Sequence, residues 1–412
     1  MAGGVQRFED LHAWQKAREV TASIRSTPYS VLPRVALAHD YLNQNGGAER
    51  VVEQLHTFFP DAPLYTSIYD RERMPDAYKE WDIHPSFMQH LPGIMRHHQP
   101  YLPLYPLAMA SFNLNDFPLI VSSSSAFGKG VRAPTGALHV CYCHAPMRFA
   151  WNYESYAARE GFGRAVDLGI RPLLAALRHW DRATAAGVDH FIANSRTVAV
   201  RIARIYGRDA TVIYPPIETD RYTPPPGTPR EPEPFFFLVS RLVPYKRIDL
   251  AIRAANALGV RLEIASTGRD RAALEALAGP TVRFLGWISD DEKREKYARC
   301  TATLFPAEDD FGIAQLEAMA AGRPVVGYGR GGSAESVRDG VTGVLFPEQT
   351  VEAMVDAMRR VQSQSWDRET IIAHARCFDA AVFRARMHDF LADAWERHQH
   401  AKGKGVRRAE SP

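Results

Sequence analysis

Short apolar runs alternate with amphipathic stretches along most of the chain. The first run, residues 35–39, precedes a turn at Asn45-Gly46-Gly47 and a stretch, residues 48–59, with apolar residues at helical spacing. Further strands are predicted at residues 63–68, 119–122, 138–142, 190–193 and 211–214. Helical patterns occupy residues 163–186 and 195–206. Strands that alternate with helices in this way predict a parallel, doubly wound sheet.

A proline-rich segment at residues 223–234 separates this unit from a second one. Its composition does not suit a core element, so we interpret it as an interdomain linker. The alternation then restarts, with strands predicted at residues 235–240, 262–266, 282–285 and 303–305. Helices are predicted from Arg247 and from Ser289, which has capping-box spacing to Glu292. Two successive doubly wound units place the expected active site in the cleft between them.

These patterns divide the chain into five predicted segments: a helical extension at 1–33, an N-terminal Rossmann-like domain at 34–217, a C-terminal Rossmann-like domain at 218–375, a C-terminal segment at 376–398 and a disordered tail at 399–412. The C-terminal segment contains a helix predicted at residues 380–396, which is long enough to pack back across the cleft. The tail is basic and polar.

Composition narrows the class of protein. The chain has 412 residues, of which 46% are hydrophobic and 24% are charged, as in a soluble globular protein of two to three domains. A net charge of +3 does not call for a nucleic-acid partner, and it is compatible with anionic substrates or an anionic membrane surface. No run approaches the roughly 18 apolar residues that span a bilayer. We expect a cytoplasmic or peripheral protein.

Four cysteines give no disulfide framework and suit a reducing compartment. The run Cys141-x-Cys143-His144 has the residue types of a metal site. Its spacing is too tight for the usual zinc knuckle and no second ligand pair follows, so we expect no metal there.

The strongest chemical pattern is EDDFGIAQLEAMAAGRPVV at residues 308–326. An acidic loop here follows a predicted strand, and Phe311-Gly312 opens a helix that carries Glu317. Two carboxylates eight residues apart can face one ligand, while the helix N-terminus offers N–H groups to a phosphate or a sugar oxygen. Taken alone, the pattern also fits an acidic loop followed by an exposed helical glutamate.

Cations follow the first strand after the linker, in the run VSRLVPYKR that ends at Arg247. Arg241 and Lys246 at the carboxyl end of a strand are placed to hold a diphosphate, although surface charges that cap a strand would look the same. No P-loop is present, which argues against a P-loop kinase.

Together, these two motifs resemble the donor site of family 4 of the retaining glycosyltransferases, and the resemblance extends from about Arg34 to the C-terminal helix. Supporting segments are HDYLNQNGGAERV, YCHAPMRFAWN, HFIANSRTVAVRI, YPPIETDRY, FLGWISDDEK and GYGRGGSAESV. Within that family, the sequence most resembles the bacterial polysaccharide and O-antigen mannosyltransferases. The resemblance implies the GT-B fold, in which two Rossmann-like domains face each other across a cleft. Separately, residues 8–25 resemble the opening helix of small four-helix-bundle proteins encoded in ribosomal RNA intervening sequences, and we interpret them as a fused remnant or an extended gene start rather than a working domain.

The resemblance also implies roles for individual residues. Arg241 and Lys246 would hold the donor diphosphate and stabilise the leaving nucleotide, so that no metal ion and no other cofactor is required. Glu317 would bind the ribose. An acidic residue of the loop before Phe311 would bind the transferred sugar. Contacts with the donor are also implied for Gly46, Gly47, His144, Gly312 and Ile313, with His144 orienting the sugar near the reacting carbon and the backbone of the others lying against sugar or phosphate.

The sequence departs from the family pattern in the acidic loop. Where the pattern has a glutamate eight residues before Glu317, this chain has Asp309, preceded by Glu308. A shorter carboxylate keeps the charge but changes the reach. Either Asp309 still contacts the sugar or Glu308 replaces it, and the spacing favours Asp309.

We therefore expect transfer of a hexose from a nucleotide diphosphate sugar, with GDP-mannose favoured, to a glycan or a lipid-linked oligosaccharide. Residues 87–105 mix aromatic, apolar and basic side chains, which suits a membrane interface or equally an ordinary loop and helix over the core. Two alternatives stay open: a nucleotide-sugar epimerase of the same fold, and a non-catalytic nucleotide-sugar-binding module.

Overall fold

The computed structural model describes residues 32–153, 164–224 and 233–409. They fall into two compact units, which we call the N-terminal unit, consisting of the described residues up to Tyr214 together with those from Phe383 onward, and the C-terminal unit, Pro215–Val382. The helix predicted at residues 8–25 lies outside the described residues, as does most of the predicted linker.

The N-terminal unit contains a parallel sheet of seven strands in the order β3-β2-β1-β4-β5-β6-β7. The strands are β1 (Val35–His39), β2 (Leu64–Thr66), β3 (Ile83–Pro85), β4 (Leu119–Ser124), β5 (Leu138–Cys143), β6 (His190–Ala193) and β7 (Ala210–Val212). Six of them lie within about two residues of their predicted positions. Edge strand β3 was not predicted.

Helices connect these strands: α1 (Gly47–Phe58), α2 (Tyr105–Ala110), α3 (Arg148–Trp151), α4 (Arg164–Ala185) and α5 (Arg196–Tyr206), with short 3₁₀ helices at Asp76–Glu80, Phe87–His90, Gln99–Leu104 and Gly128–Gly130. Helix α5 shows how the sequence sets such bounds. The Ser195 hydroxyl accepts a hydrogen bond from the N–H of Val198, and Gly207 ends the helix in the left-handed region at φ 66°.

Apolar side chains cover both faces of this sheet. On one face, Val52 and Leu55 of α1 pack with Leu37 of β1 in a buried cluster. On the other face, Ile120 of β4 packs with Leu177 of α4. Because both faces are covered, the central strands are buried along their whole length, as their continuous apolar runs predicted.

The C-terminal unit contains a parallel sheet of six strands in the order β10-β9-β8-β11-β12-β13. The strands are β8 (Phe235–Val239), β9 (Arg261–Ala265), β10 (Val282–Gly286), β11 (Ala302–Phe305), β12 (Val325–Tyr328) and β13 (Gly343–Phe346). The strand order reverses beside β8, which has β9 on one side and β11 on the other. Such a switch point leaves a crevice at the carboxyl ends of the two strands.

The helices of this unit are α6 (Thr219–Tyr222), α7 (Ile248–Leu258), α8 (Arg271–Leu277), α9 (Asp290–Arg299), α10 (Ile313–Ala320), α11 (Gly332–Ser336), α12 (Val351–Ser363) and α13 (Arg368–Arg376), with a 3₁₀ turn at Pro244–Lys246. The capping box predicted for α9 is confirmed, since the side chains of Ser289 and Glu292 each accept from the other's backbone N–H. Leu250 of α7 and Met354 of α12 belong to the core over the sheet, with Phe236 of β8.

The last helix, α14 (Ala380–Ala409), corrects one expectation. It was predicted to end near residue 396 and to be followed by a disordered tail from residue 399. In fact it continues to Ala409, because no proline interrupts the chain before Pro412 and a glycine costs a helix only about 1 kcal/mol. Its residues Phe383, Met387 and Leu391 lie in the core of the N-terminal unit.

Candidate functional site

The two charged motifs of the C-terminal unit meet at the switch point. Lys246 closes the 3₁₀ turn after β8, and Asp309 lies in the loop after β11, the neighbouring parallel strand. The Lys246 ammonium donates a hydrogen bond to a carboxylate oxygen of Asp309. The two side chains are only 16% and 9% exposed, so this is a largely buried ion pair. Two residues that were predicted separately for one site are therefore in direct contact.

Arg241 presents a second cation beside this pair. Its guanidinium is exposed and donates to the Tyr245 hydroxyl at 3.3 Å. The Tyr245 ring also lies 5.3 Å from the Lys246 ammonium, which is 5.9 Å from the ring of Phe305. Among the described residues no carboxylate pairs with Arg241, so its charge remains available to an anion.

Backbone contacts hold the acidic loop in place. The carbonyl oxygen of Asp309 accepts from the N–H of Gly332 at 2.8 Å. The Gln315 side chain donates to the carbonyl of Phe311 at 2.7 Å and accepts from Ser333 at 3.0 Å. A Cβ atom at Gly332 would lie 2.0 Å from the Phe311 carbonyl oxygen. The Gly-Gly pair at 331–332 is therefore needed for the close approach of α11 to this loop.

Gly312 joins the loop to α10. It has φ 91°, in the region that favours glycine, and a Cβ atom there would lie 2.6 Å from the ring of Phe305. Ile313 follows as the first residue of the helix. The packing of the protein itself therefore requires a glycine at this position. Sequence analysis had instead explained this glycine by the close approach of a ligand.

Glu317 lies in α10 and is buried. One of its carboxylate oxygens accepts from the Tyr222 hydroxyl at 2.7 Å, and the other accepts from the Tyr297 hydroxyl at 3.1 Å. The Lys293 ammonium is 3.5 Å away. Sequence reasoning missed these three partners. Only Lys293 and Tyr297 carried a signal, since a spacing of four residues places them on one face of α9.

The remaining predicted residues belong to the N-terminal unit. Gly46 precedes α1, and its N–H donates to the Glu49 carboxylate at 2.8 Å; Gly47 is the first residue of that helix. His144 follows β5 and is buried. Its Nε2 atom lies 2.8 Å from the Ser123 hydroxyl of β4. Burial, together with the nearby charge of His39, lowers the pKa of His144 to about 3, so this imidazole is neutral at pH 7.

Asp40, which follows β1, anchors the loop after β4 and was also missed. Its carboxylate accepts hydrogen bonds from the backbone N–H groups of residues 125–128, with Ala126 at 3.1 Å and Phe127 at 2.7 Å. A carboxylate that accepts several backbone N–H bonds is strongly held. Asp40 therefore fixes the carboxyl end of β4 against that of β1.

No described part of the chain offers a metal centre. Residues 32–153, 164–224 and 233–409 contain no group of three His, Cys, Asp or Glu side chains that could hold an ion. The Cys141 and Cys143 thiols next to His144 are buried, and burial raises the pKa of Cys141 to about 12. Among the helices of the same described ranges, none combines the length and apolar character that crossing a bilayer requires.

Known proteins match the chain in sequence at moderate identity. D-inositol 3-phosphate glycosyltransferase of Geodermatophilus obscurus is 30% identical over 261 residues, 56% of this chain and 57% of that protein. The GDP-mannose-dependent alpha-(1-6)-phosphatidylinositol monomannoside mannosyltransferase of Mycobacterium tuberculosis is 29% identical over 227 residues, 46% of this chain and 58% of that protein. The chain thus spans rather more than half the length of these curated relatives.

Solved structures share the fold over most of the chain. HepE of Anabaena, in complex with UDP, superposes with a TM-score of 0.66 at 17% identity, covering 88% of this chain and 100% of that one. Sucrose-phosphate synthase of Thermosynechococcus elongatus has a TM-score of 0.64 at 16% identity and covers 91% and 100%. The predicted α/β class with two Rossmann-like, parallel-sheet units of the GT-B type is confirmed.

Two family models cover most of the described chain between them. Residues 45–221 match the model of "Glycosyltransferase Family 4", and residues 233–364 match that of "Glycosyl transferases group 1". The first match contains Gly46, Gly47 and His144, and the second contains the cations and carboxylates at the switch point. The chain is therefore similar to glycosyltransferase family 4 in its N-terminal part and to glycosyltransferase group 1 in its C-terminal part.

Proposed function

We propose that this protein is a retaining hexosyltransferase that moves a sugar from a nucleotide diphosphate sugar to a hydroxyl of a glycan or of a lipid-linked oligosaccharide. One observation carries the proposal. Arg241 and Lys246 lie beside the Asp309 loop at the switch point of a sheet, in a chain whose two domains match glycosyltransferase families.

The cations suit the departure of a nucleotide diphosphate. Negative charge develops on the leaving phosphate, and preorganised cations stabilise it without a cost of reorganisation at the moment of reaction. Lys246 is already oriented by Asp309 and by two aromatic rings. Arg241 is exposed and able to chelate two phosphate oxygens. With two cations at this position, we propose that the reaction needs no divalent ion.

The carboxylates suit the hydroxyl groups of the donor. Asp309 would accept a hydrogen bond from the transferred sugar while it remains paired with Lys246. Glu317 would accept a hydrogen bond from the ribose while the Tyr222 and Tyr297 hydroxyls hold its carboxylate. The tyrosines would then fix the direction in which the carboxylate faces the ribose.

The donor is best supported as GDP-mannose, through the Mycobacterium tuberculosis relative whose name specifies that donor. The Anabaena structure contains UDP, so the base requires a direct test. For the acceptor, the names of the relatives suggest inositol phosphates and phosphatidylinositol mannosides beside lipid-linked oligosaccharides. The side chains of Phe87 and Leu107 are 45% and 61% exposed, which supports contact with the cytoplasmic face of a membrane that carries a lipid-linked acceptor.

The test has two stages. Calorimetry with GDP-, UDP- and dTDP-sugars identifies the donor that binds, with Arg241→Ala as the variant expected to bind weakly and Arg253→Ala, an exposed arginine of α7, as the matched control. Release of the free nucleotide is then measured with and without each acceptor. Release that depends on an acceptor supports a transferase. Nucleotide release or sugar inversion without an acceptor would favour the epimerase, and binding without turnover would favour the binding module.

A further inference from the structure

A path of buried hydrogen bonds connects His144 to the start of α1. The Ser123 hydroxyl lies 2.8 Å from Nε2 of His144 and 3.2 Å from Nδ1 of His39. The opposite nitrogen of His39, Nε2, lies 3.5 Å from the Glu49 carboxylate. His39, Glu49 and Ser123 are each at most 2% exposed, so the path lies in the protein interior.

The acceptors around His39 decide where its protons lie. Its Nδ1 atom also lies 3.1 Å from the backbone carbonyl of Ser123, which can only accept, so a hydrogen on Nδ1 is favoured. Its Nε2 atom faces the Glu49 carboxylate, which favours a second hydrogen there. His39 is then an imidazolium that donates in both directions.

The protons of the rest of the path follow from this state. The Nδ1–H group of His39 donates to the Ser123 hydroxyl oxygen, so the hydroxyl hydrogen points away from His39. Among the described side chains, the only other partner at hydrogen-bonding distance is Nε2 of His144, and the hydroxyl therefore donates to it. That nitrogen must then be unprotonated. The single hydrogen of the neutral His144 ring consequently lies on Nδ1.

We infer that His39 and Ser123 are positioning residues that hold His144 in its Nδ1–H tautomer, so that His144 donates a hydrogen bond from Nδ1 to a hydroxyl oxygen of the transferred sugar. The hydrogen bond to sugar rests on the proposed function, whereas the tautomer does not. Neither residue needs to touch the donor for this role. The same Glu49 carboxylate accepts from the N–H of Gly46, which connects the path to the Gly46-Gly47 loop.

The path should depend on pH in a defined direction. Burial by itself lowers the pKa of His39, but the hydrogen bond and charge of Glu49, the charge of Asp40 and the carbonyl of Ser123 outweigh burial and raise it above 6.5. A raised pKa means that the cation is present below that pKa and is lost as the pH rises through it. Of the described groups, those that face His39 are Glu49 on α1, Asp40 directly after β1 and the neutral His144 after β5. Turnover should therefore fall as the pH rises through the raised pKa of His39, and Glu49→Gln should move this fall to lower pH.

Ser123→Ala is the variant that interrupts the path, and the sheet offers a matched control. Ser122, the preceding residue of β4, is equally buried and lies 2.8 Å from Nε2 of His139 on β5. Ser122→Ala therefore removes a serine–histidine contact between β4 and β5 without touching the path. Ser123→Thr restores the hydroxyl and serves as the rescue.

Two measurements test the inference in the full-length protein. In ¹⁵N NMR spectra of histidine-labelled protein, with the His144 signal identified by its loss in His144→Asn, the wild type and Ser122→Ala should show hydrogen on Nδ1 only. Ser123→Ala should show a mixture of tautomers. For the transferase reaction, kcat of Ser123→Ala should fall about 10- to 100-fold with little change in the donor KM, because a misdirected group costs orientation rather than uniform binding.

The outcomes separate the two levels of the proposal. Hydrogen on Nε2 of His144 in the wild type, or an unchanged tautomer in Ser123→Ala, would overturn the inference. Equal loss of kcat in Ser122→Ala and Ser123→Ala would also overturn it, since a general weakening of the sheet would then explain both. If no donor supports turnover, the proposed function fails, while the NMR result still decides the tautomer.

Discussion

The ion pair between Lys246 and Asp309 allows stability and activity to be tested apart. Lys246→Met removes the cation and keeps most of the apolar stem, whereas Asp309→Asn removes the charge and keeps the shape. Each single variant leaves one largely buried charge without its partner. The double variant leaves neither, so the two properties are expected to respond differently.

The loss of stability can be estimated from the burial of the pair. Removing one partner of a fully buried ion pair costs about 3–5 kcal/mol, whereas exposed pairs contribute about 0–1 kcal/mol. With 16% and 9% of the side chains exposed, we expect each single variant to lose about 1–3 kcal/mol of the free energy of unfolding. The free energy of unfolding of the double variant should lie within about 1 kcal/mol of the wild-type value, because no unpaired charge remains buried.

Activity should not recover in the double variant. If Lys246 stabilises the leaving phosphate and Asp309 contacts the sugar, each single variant lowers kcat by about 10²-fold or more and the double variant is at least as impaired. Urea denaturation gives the free energies, and initial rates of nucleotide release with donor and acceptor give kcat. Glu275→Gln in the exposed pair with Arg271 is the control and should change stability by at most about 0.5 kcal/mol.

Two results would refute this reasoning. Additive losses of stability in the double variant would show that the two charges are not energetically coupled. Recovery of turnover in the double variant would show that the pair is structural and that the donor is held elsewhere.

Three further outcomes are expected. Asp309→Ala should reduce kcat far more than Glu308→Ala, an exposed neighbour, and the reverse result in steady-state kinetics would move the sugar contact one residue upstream. Tyr297→Phe removes a hydrogen bond to the Glu317 carboxylate and should raise the donor Kd roughly 10-fold by calorimetry, since a hydrogen bond to a charged group contributes about 1.5–3 kcal/mol; an unchanged Kd would separate Glu317 from the ribose. Activity should survive exhaustive EDTA treatment, and NMR should show the donor's anomeric configuration in the first product. Recovery of activity that depends on magnesium, or an inverted product, would contradict the proposed metal-free, retaining reaction.

The strands that sequence analysis found are those whose apolar runs stand alone. Phe235–Val239 follows a proline-rich segment and begins with three consecutive phenylalanines, so its prediction was straightforward. Strands β12 and β13 were missed. Both contain a glycine, and a glycine in a sequence is usually interpreted as a turn. At Gly343 the reason for the glycine is tertiary: a Cβ atom would lie 2.1 Å from the carbonyl oxygen of Val325 on the neighbouring strand.

The site residues divide in the same way. Arg241, Lys246 and Asp309 could be proposed as site residues because each belongs to a short motif that follows a predicted strand. Tyr222, a partner of Glu317, could not be found, because it is 95 residues away in the sequence and only the packing of α6 against α10 brings its hydroxyl to the carboxylate. Residues of one short motif can be identified from the local sequence, whereas hydrogen bonds between distant elements depend on the fold.

Two glycines show which sequence signals can report a ligand. Gly312→Ala would force a positive φ on alanine and a contact with Phe305, so we expect a loss of about 1–3 kcal/mol in stability whether or not a donor binds there. At Gly46 the backbone is extended, with φ −141°, and a Cβ atom would meet only the end of the Glu49 side chain at 3.1 Å. The free energy of unfolding of Gly46→Ala should therefore stay within about 1 kcal/mol of the wild-type value. The variant should nevertheless bind the donor more weakly, because only the ligand needs that space. Urea denaturation and calorimetry measure the two effects, and donor binding as tight as in the wild type would mean that the Gly46-Gly47 loop does not approach the donor.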